Sequence, residues 1–330
     1  MAKIVCGIGI SHAPGALGWP EAPTADVRER LERAARELGR RLDEAKPDII
    51  ITFLDDHFEN HFRDLMPTVS LGVAQSHIGP AKQWMEALRL TEQEYFDGAP
   101  VVAEKLLRSL VHSGFDVARM GNIEYGNNFI VPWHMMKMQT KPSIIPIYTN
   151  VFSPPVMPYD RAYAFGKSVR SAVEKLDDDV RVAFLATGGL SHWPPFWTDS
   201  SPEEDGFLQR MKKFQISGKV ALETDPSLLT DLGAYEIEMA QKNEWPINSP
   251  HPLVNETWDR MILQAVADGD VEKMCSLRFE DVERDAGHGG HEVLNWVQLM
   301  GAMDGAKATI LDYEAVIEWV CGMAYVAYNV

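Results

Sequence analysis

Residues 48–58 read Asp-Ile-Ile-Ile-Thr-Phe-Leu-Asp-Asp-His-Phe. The run through Leu54 is continuous and rich in β-branched residues, without the apolar–polar alternation of a half-buried strand. That is the pattern of a strand covered on both faces, as in the parallel sheets of α/β proteins. The stretch ends on two acids and a histidine. Moving outward, residues 4–10 and 181–187 read as further strands, and 68–73, 115–120 and 143–148 as extended segments. Between them lie helical periodicities over 23–45, with Thr24 as the N-cap, over 100–113 and over 159–176. Strands spaced by helices give an α/β class with a central mixed or parallel sheet flanked by helices. After Gly189 the pattern turns mostly helical to the end, so a helical C-terminal part is expected. No internal repeat and no Pro/Gly-rich linker interrupts the chain, and the expectation is one catalytic domain over residues 1–330.

The chain carries 31 Lys and Arg against 48 Asp and Glu, a formal charge of −17. Such a surface repels phosphate backbones, and the densest basic stretch, 28–41, is interleaved with Glu29, Glu32 and Glu37. Nucleic acid is therefore excluded as the expected partner. Hydrophobic residues at 45% and charged residues at 24% are the balance of a globular protein, not of a disordered or coiled-coil chain. No apolar run approaches the roughly 18 residues of a membrane span. The apolar start meets His12 and Pro14 with no small-residue cleavage site, so it reads as a strand and not as a signal peptide. Three distant cysteines, Cys6, Cys275 and Cys321, fit neither a disulfide framework nor a zinc knuckle. The expected compartment is the cytoplasm.

Three histidines fall just past the ends of expected strands: His12 in Ser11-His12-Ala13-Pro14, His57 in Asp55-Asp56-His57-Phe58, and His192 in Gly188-Gly189-Leu190-Ser191-His192-Trp193-Pro194. Open α/β sheets bind ligands in the crevice outside the carboxyl ends of their strands, so three imidazoles there point to a metal or acid–base site. Near the C-terminus, Ala286-Gly287-His288-Gly289-Gly290-His291-Glu292 leads into an apolar helical pattern. Glu292 in that first turn can complete a two-histidine-one-carboxylate set, which suits non-haem Fe(II) and also catalytic zinc. Two other readings stay open: a helix-dipole role for Glu292, and an i, i+4 pairing of His288 with Glu292.

Taken in order, the stretches 11–14, 55–58, 188–194 and 286–296 resemble the signatures of the class III extradiol ring-cleaving dioxygenases. That family includes the catalytic subunit of protocatechuate 4,5-dioxygenase and 2,3-dihydroxyphenylpropionate dioxygenase. Residues 55–71 and 251–259 resemble the latter most. The resemblance implies Fe(II)-dependent cleavage of a catecholic ring with O2 in aromatic-compound degradation. It implies His12, His57 and Glu292 as Fe(II) ligands and His192 as the acid–base residue. His61, four residues after His57, competes for the second ligand position. It also implies a homodimer or larger homo-oligomer, and in some relatives a small partner subunit.

One departure stands out. Where the family has Asp-His-Gly, this chain has Glu124-Tyr125-Gly126. Tyr125 would replace a catalytic histidine with a group that donates to an anionic oxygen but accepts protons poorly at neutral pH. His134, nine residues on, is a substitute imidazole. Trp193, His134 and His77 are the expected substrate-binding residues. A zinc hydrolase on the same scaffold and a non-catalytic binding relative are the competing readings.

Overall fold

The computed structural model describes residues 2–244 and 252–328. His251, the first residue of the 251–259 stretch, lies outside them. The strands are β1 (Lys3–Ile10), β2 (Ile49–Asp55), β3 (Val69–Gly72), β4 (Ser76–Gly79), β5 (Glu94–Asp97), β6 (Ala118–Met120), β7 (Ser143–Thr149), β8 (Arg181–Thr187), β9 (Ala308–Val316) and β10 (Cys321–Tyr328). Eight of them form one mixed sheet in the order β6-β3-β7-β2-β8-β1-β10-β9. The middle four, β7-β2-β8-β1, run parallel. All of β2 is buried, as its unbroken apolar run requires. β4 and β5 pair separately as a short antiparallel ribbon.

Helices cover the sheet on both faces. The helix Ala25–Ala45 lies against β1, β9 and β10 beside the helix Asn127–Met136. Thr24 caps it, accepting from the Val27 amide. Across the sheet, Val293–Ala302 packs on β1, β2 and β8 and against Tyr159–Glu174. The alternation of β1 explains its glycines: a Cβ on Gly9 would come within 2.6 Å of the Trp296 ring, and one on Gly7 within 2.5 Å of the Met303 sulfur. Without those Cβ atoms the buried Val293–Ala302 helix approaches the strand closely, while Ile8 and Ile10 fill the opposite face.

The part after Gly189 is helical as expected through Gly206–Ser217, Leu228–Lys242, Glu256–Asp268 and Val293–Ala302. Its last stretch differs. Residues 308–328 are the β9–β10 hairpin, and β10 inserts beside β1 as an antiparallel strand. Every residue of β10 is buried, so the period-two pattern that marks a strand is absent from its sequence.

Candidate metal centre

Three adjacent parallel strands, β2, β8 and β1, deliver their carboxyl ends to one place. His12 follows β1 by two residues, Asp55 ends β2, His57 lies two residues beyond it, and Thr187 ends β8. Glu292 caps the N-terminus of Val293–Ala302, directly over these ends. His12, Asp55, His57 and Glu292 are all buried, and one ligand atom from each lies within 4.8 Å of every other. His12 Nε2 is 3.2 Å from Glu292 Oε2, and His57 Nε2 is 3.3 Å from Glu292 Oε1. Asp55 Oδ2 lies 2.7 Å from His57 Nε2.

The outer nitrogens of the imidazoles are occupied. His57 Nδ1 is 2.7 Å from Asn127 Oδ1, and the amide nitrogen of Asn127 donates to the His12 carbonyl at 3.1 Å. With the amide oriented in this way, His57 Nδ1 must donate, which leaves an Nε2 lone pair facing the cluster. His12 Nδ1 meets Thr187 Oγ1 at 3.2 Å. Asn295 holds Asp55 in turn, donating to Oδ1 at 2.7 Å and to the Thr187 carbonyl at 2.9 Å.

The inward atoms remain poorly satisfied by one another. His12 Nε2 and Asp55 Oδ2 are buried and have no hydrogen bond of acceptable direction. Burial opposes charge on His57, but Asp55 and Glu292 outweigh it and push its pKa well above the usual imidazole range. Burial and the Glu292 charge raise Asp55, while His12 and His192 overcome burial to hold Glu292 well below the usual carboxylate range. Two buried carboxylates thus demand positive charge where the His57 lone pair and His12 Nε2 converge. A divalent cation satisfies both demands, and the donor set of imidazole nitrogens and carboxylate oxygens fits one.

His192 stands beside this cluster, its Nε2 3.3 Å from Glu292 Oε1 and its Nδ1 donating to the Leu190 carbonyl at 3.1 Å. Burial opposes its protonation, and Glu292 prevails to raise its pKa. The ring is clasped between backbones. A Cβ on Gly189 would come within 2.6 Å of it, and one on Gly289 within 2.4 Å. His12, His57, His192 and Glu292 face a narrow cavity walled by Trp84, Phe152, Pro194, Phe196, Trp319 and Val320. An apolar recess with a few convergent polar groups is the usual form of a small-molecule site.

Five residues singled out from the sequence, Tyr125, His77, His134, Trp193 and His61, lie elsewhere. Tyr125 is buried outside the cavity lining, stacked on Phe129 at 4.2 Å between ring centroids and edge-on to Phe96. His77 is on β4 beside Tyr125, with neither ring nitrogen hydrogen-bonded. His134 is partly exposed, 2.7 Å from Glu94. Trp193 packs into a separate cluster with Leu208, Met239 and Leu253, while its neighbours Pro194 and Phe196 reach the cavity. His61 contacts Ser70 and Met120, outside the donor cluster. Asp55, Asn127 and Thr187 were not singled out as ligand or support residues from sequence. For Asp55 the signal was present, an acid ending a buried strand two residues before a histidine.

Comparison with known proteins agrees with this architecture. The chain is 28% identical over 319 residues to the 2,3-dihydroxyphenylpropionate/2,3-dihydroxicinnamic acid 1,2-dioxygenase of Rhodococcus sp, covering 95% of this chain and 94% of that one. It is 29% identical over 323 residues to the enzyme of the same name from Burkholderia vietnamiensis, covering 95% and 93%. An uncharacterized protein of Escherichia coli K12, known from a crystal structure, shares the fold with a TM-score of 0.55 at 14% identity, over 98% of this chain and 100% of that chain. Residues 6–327 match the family described as the catalytic LigB subunit of aromatic ring-opening dioxygenase, and the chain belongs to that family.

Proposed function

We propose that the protein is a non-haem Fe(II)-dependent extradiol dioxygenase that opens a catecholic ring beside its diol, with O2 as co-substrate. The observation carrying this reading is the meeting of His12, His57, Glu292 and His192 at one apolar cavity. In it, His12, His57 and Glu292 hold the iron and Asp55 adds a second carboxylate to balance its charge. The chemistry that Fe(II) supplies when bound is electron transfer from the diol to O2.

The protein's own side chains do the remaining work. Asn127 fixes the His57 tautomer, and Thr187 meets the outer nitrogen of His12. His192 Nε2 takes a proton from the substrate hydroxyl and later returns it, its ring held by the Leu190 carbonyl. Phe152, Phe196 and Trp84 shield the site from water and confine the aromatic ring. Tyr125 has no direct part in this reading, because it packs behind the cavity wall.

The test is anaerobic purification with metal analysis, then an oxygen electrode with a panel of catechols. Near-stoichiometric iron, O2 uptake and a new yellow absorbance support ring cleavage. No O2 uptake after Fe(II) reconstitution overturns it, and bound zinc would turn attention to hydrolysis. A cytoplasmic location and a homodimer or larger homo-oligomer belong to the same reading. The free cysteines favour a reducing compartment, and light scattering on the purified protein tests the assembly. No described helix is long and apolar enough to cross a membrane.

A further inference from the structure

Beyond the donor cluster, the cavity lining holds one more carboxylate and neither lysine nor arginine among the described residues. The carboxylate is Glu236, in the middle of the helix Leu228–Lys242. Leu232 lies one turn earlier and lines the same cavity, so this helix face is turned toward the site. Glu236 is only 7% exposed, and among the described residues it has neither a hydrogen bond nor an ion pair.

A buried carboxyl without a partner is costly, and native proteins seldom keep one. The apolar residues that share the wall with it, Trp319, Val320, Pro194 and Phe196 among them, give it no hydrogen bond. Among the described residues, the charges acting on it are those of His192 and His57, which line the same cavity. A ligand that brings a donor would satisfy it. A ligand that brings a carboxylate could be met only by the protonated Glu236, because two anions in this low-dielectric recess would find no Lys or Arg among the described lining residues to compensate them.

Resting on the ring-cleavage reading above, we propose that Glu236 is a specificity-determining residue: it selects catechols whose side chain ends in a hydrogen-bond donor, a hydroxyl or an ammonium, and disfavours those ending in a carboxylate. The burial that pushes the Glu236 carboxyl up to about 7 fits this role, since a donor arriving from the ligand would bring it back toward the ionised form.

The experiment is anaerobic calorimetric titration of the Fe(II) holoenzyme with catechols carrying aminoethyl, hydroxyethyl or carboxyethyl side chains, at each of the two distinct ring positions. At the better position the donor-bearing catechols should bind at least about ten-fold tighter than the carboxyethyl one, the worth of one charge-assisted hydrogen bond. In Glu236→Gln that ratio should shrink several-fold, because the amide can donate to a carboxylate. Carboxyethylcatechol binding as tightly as the others to the wild type overturns the proposal without need of the variant. A folded Glu236→Gln with an unchanged ratio overturns it as well. An oxygen electrode run in parallel separates the two readings. Selective binding without O2 uptake would count against ring cleavage and leave this selection standing, whereas O2 uptake with reversed or flat selection would do the opposite.

Discussion

Asn127 Oδ1 lies 2.7 Å from His57 Nδ1 while the same side chain donates to the backbone carbonyl of His12, so a single amide ties the two imidazoles of the donor cluster together. Replacing it with alanine frees the His57 ring to rotate and to change tautomer. Asn127→Ala is expected to weaken metal binding by about 10–100-fold, the usual effect of losing such a support. Competition with a chromogenic chelator measures it. An unchanged affinity would show that the tie has no bearing on the metal.

Glu292 touches every imidazole of the site through two oxygens, facing His12 with one and His57 and His192 with the other. Glu292→Gln keeps the volume and removes the charge. The variant should fold, purify with little iron and lose O2 uptake. Chelator treatment of the wild type should reproduce that loss, and added Fe(II) should restore activity to the wild type alone. Rescue of the variant to wild-type activity would contradict the ligand assignment.

His192 is assigned to proton transfer and not to metal retention. His192→Gln is therefore expected to lower kcat by about 10²–10⁴-fold with iron content unchanged. Loss of iron in step with activity would move His192 into the ligand set.

The backbone beside that ring leaves no room for a methyl group, with a Cβ on Gly289 falling 2.4 Å from it. Gly289→Ala should displace the ring, lowering kcat more than it raises KM and costing about 1–3 kcal/mol of stability as an overpacked site. Denaturant unfolding and steady-state kinetics on one preparation check both effects.

His77 supplies a pH signature unrelated to the metal. Burial without a hydrogen-bond partner pushes its pKa down to about 4. The folded value is below the unfolded one, near 6.5, so the unfolded chain binds the proton more readily. This contribution to stability is fully present above about pH 6.5 and is lost as pH falls toward 4, on the order of 1.4 kcal/mol per unit of pKa difference. His77→Leu should flatten the stability profile across that window. A parallel decline in variant and wild type would assign the acid sensitivity to other groups.

Much of the site was legible because a parallel sheet gathers the ends of its strands. Once residues 4–10, 48–54 and 181–187 read as strands, His12, His57 and His192 had to converge if those strands were neighbours, as they are. Glu292 needed more, because only tertiary packing sets the helix Val293–Ala302 across β1, β2 and β8. Asn127 was not legible, since a lone asparagine starting a helix carries no pattern. Tyr125 and Asn127 flank Gly126, the N-cap of the helix Asn127–Met136. One side chain points into packed aromatics and the other to the donor cluster, a divergence that spacing along the chain does not reveal. β10 escaped for a different reason: burial on both sides erases alternation, and Met323, Ala324 and Ala327 read as readily as helix.

The β9–β10 hairpin also makes one edge of the site depend on residues far from it in sequence. β1 gains its antiparallel neighbour only when residues 325–328 reach it, and Trp319, Val320 and Cys321, which wall the cavity, come from the same late stretch. The strand that leads to the first histidine thus has β8 on one side and, on the other, a partner more than 300 residues away in sequence. A chain lacking residues 308–328 would leave β1, and with it His12, at an open sheet edge and the cavity without its Trp319–Cys321 wall, while His57 stays between β7 and β8.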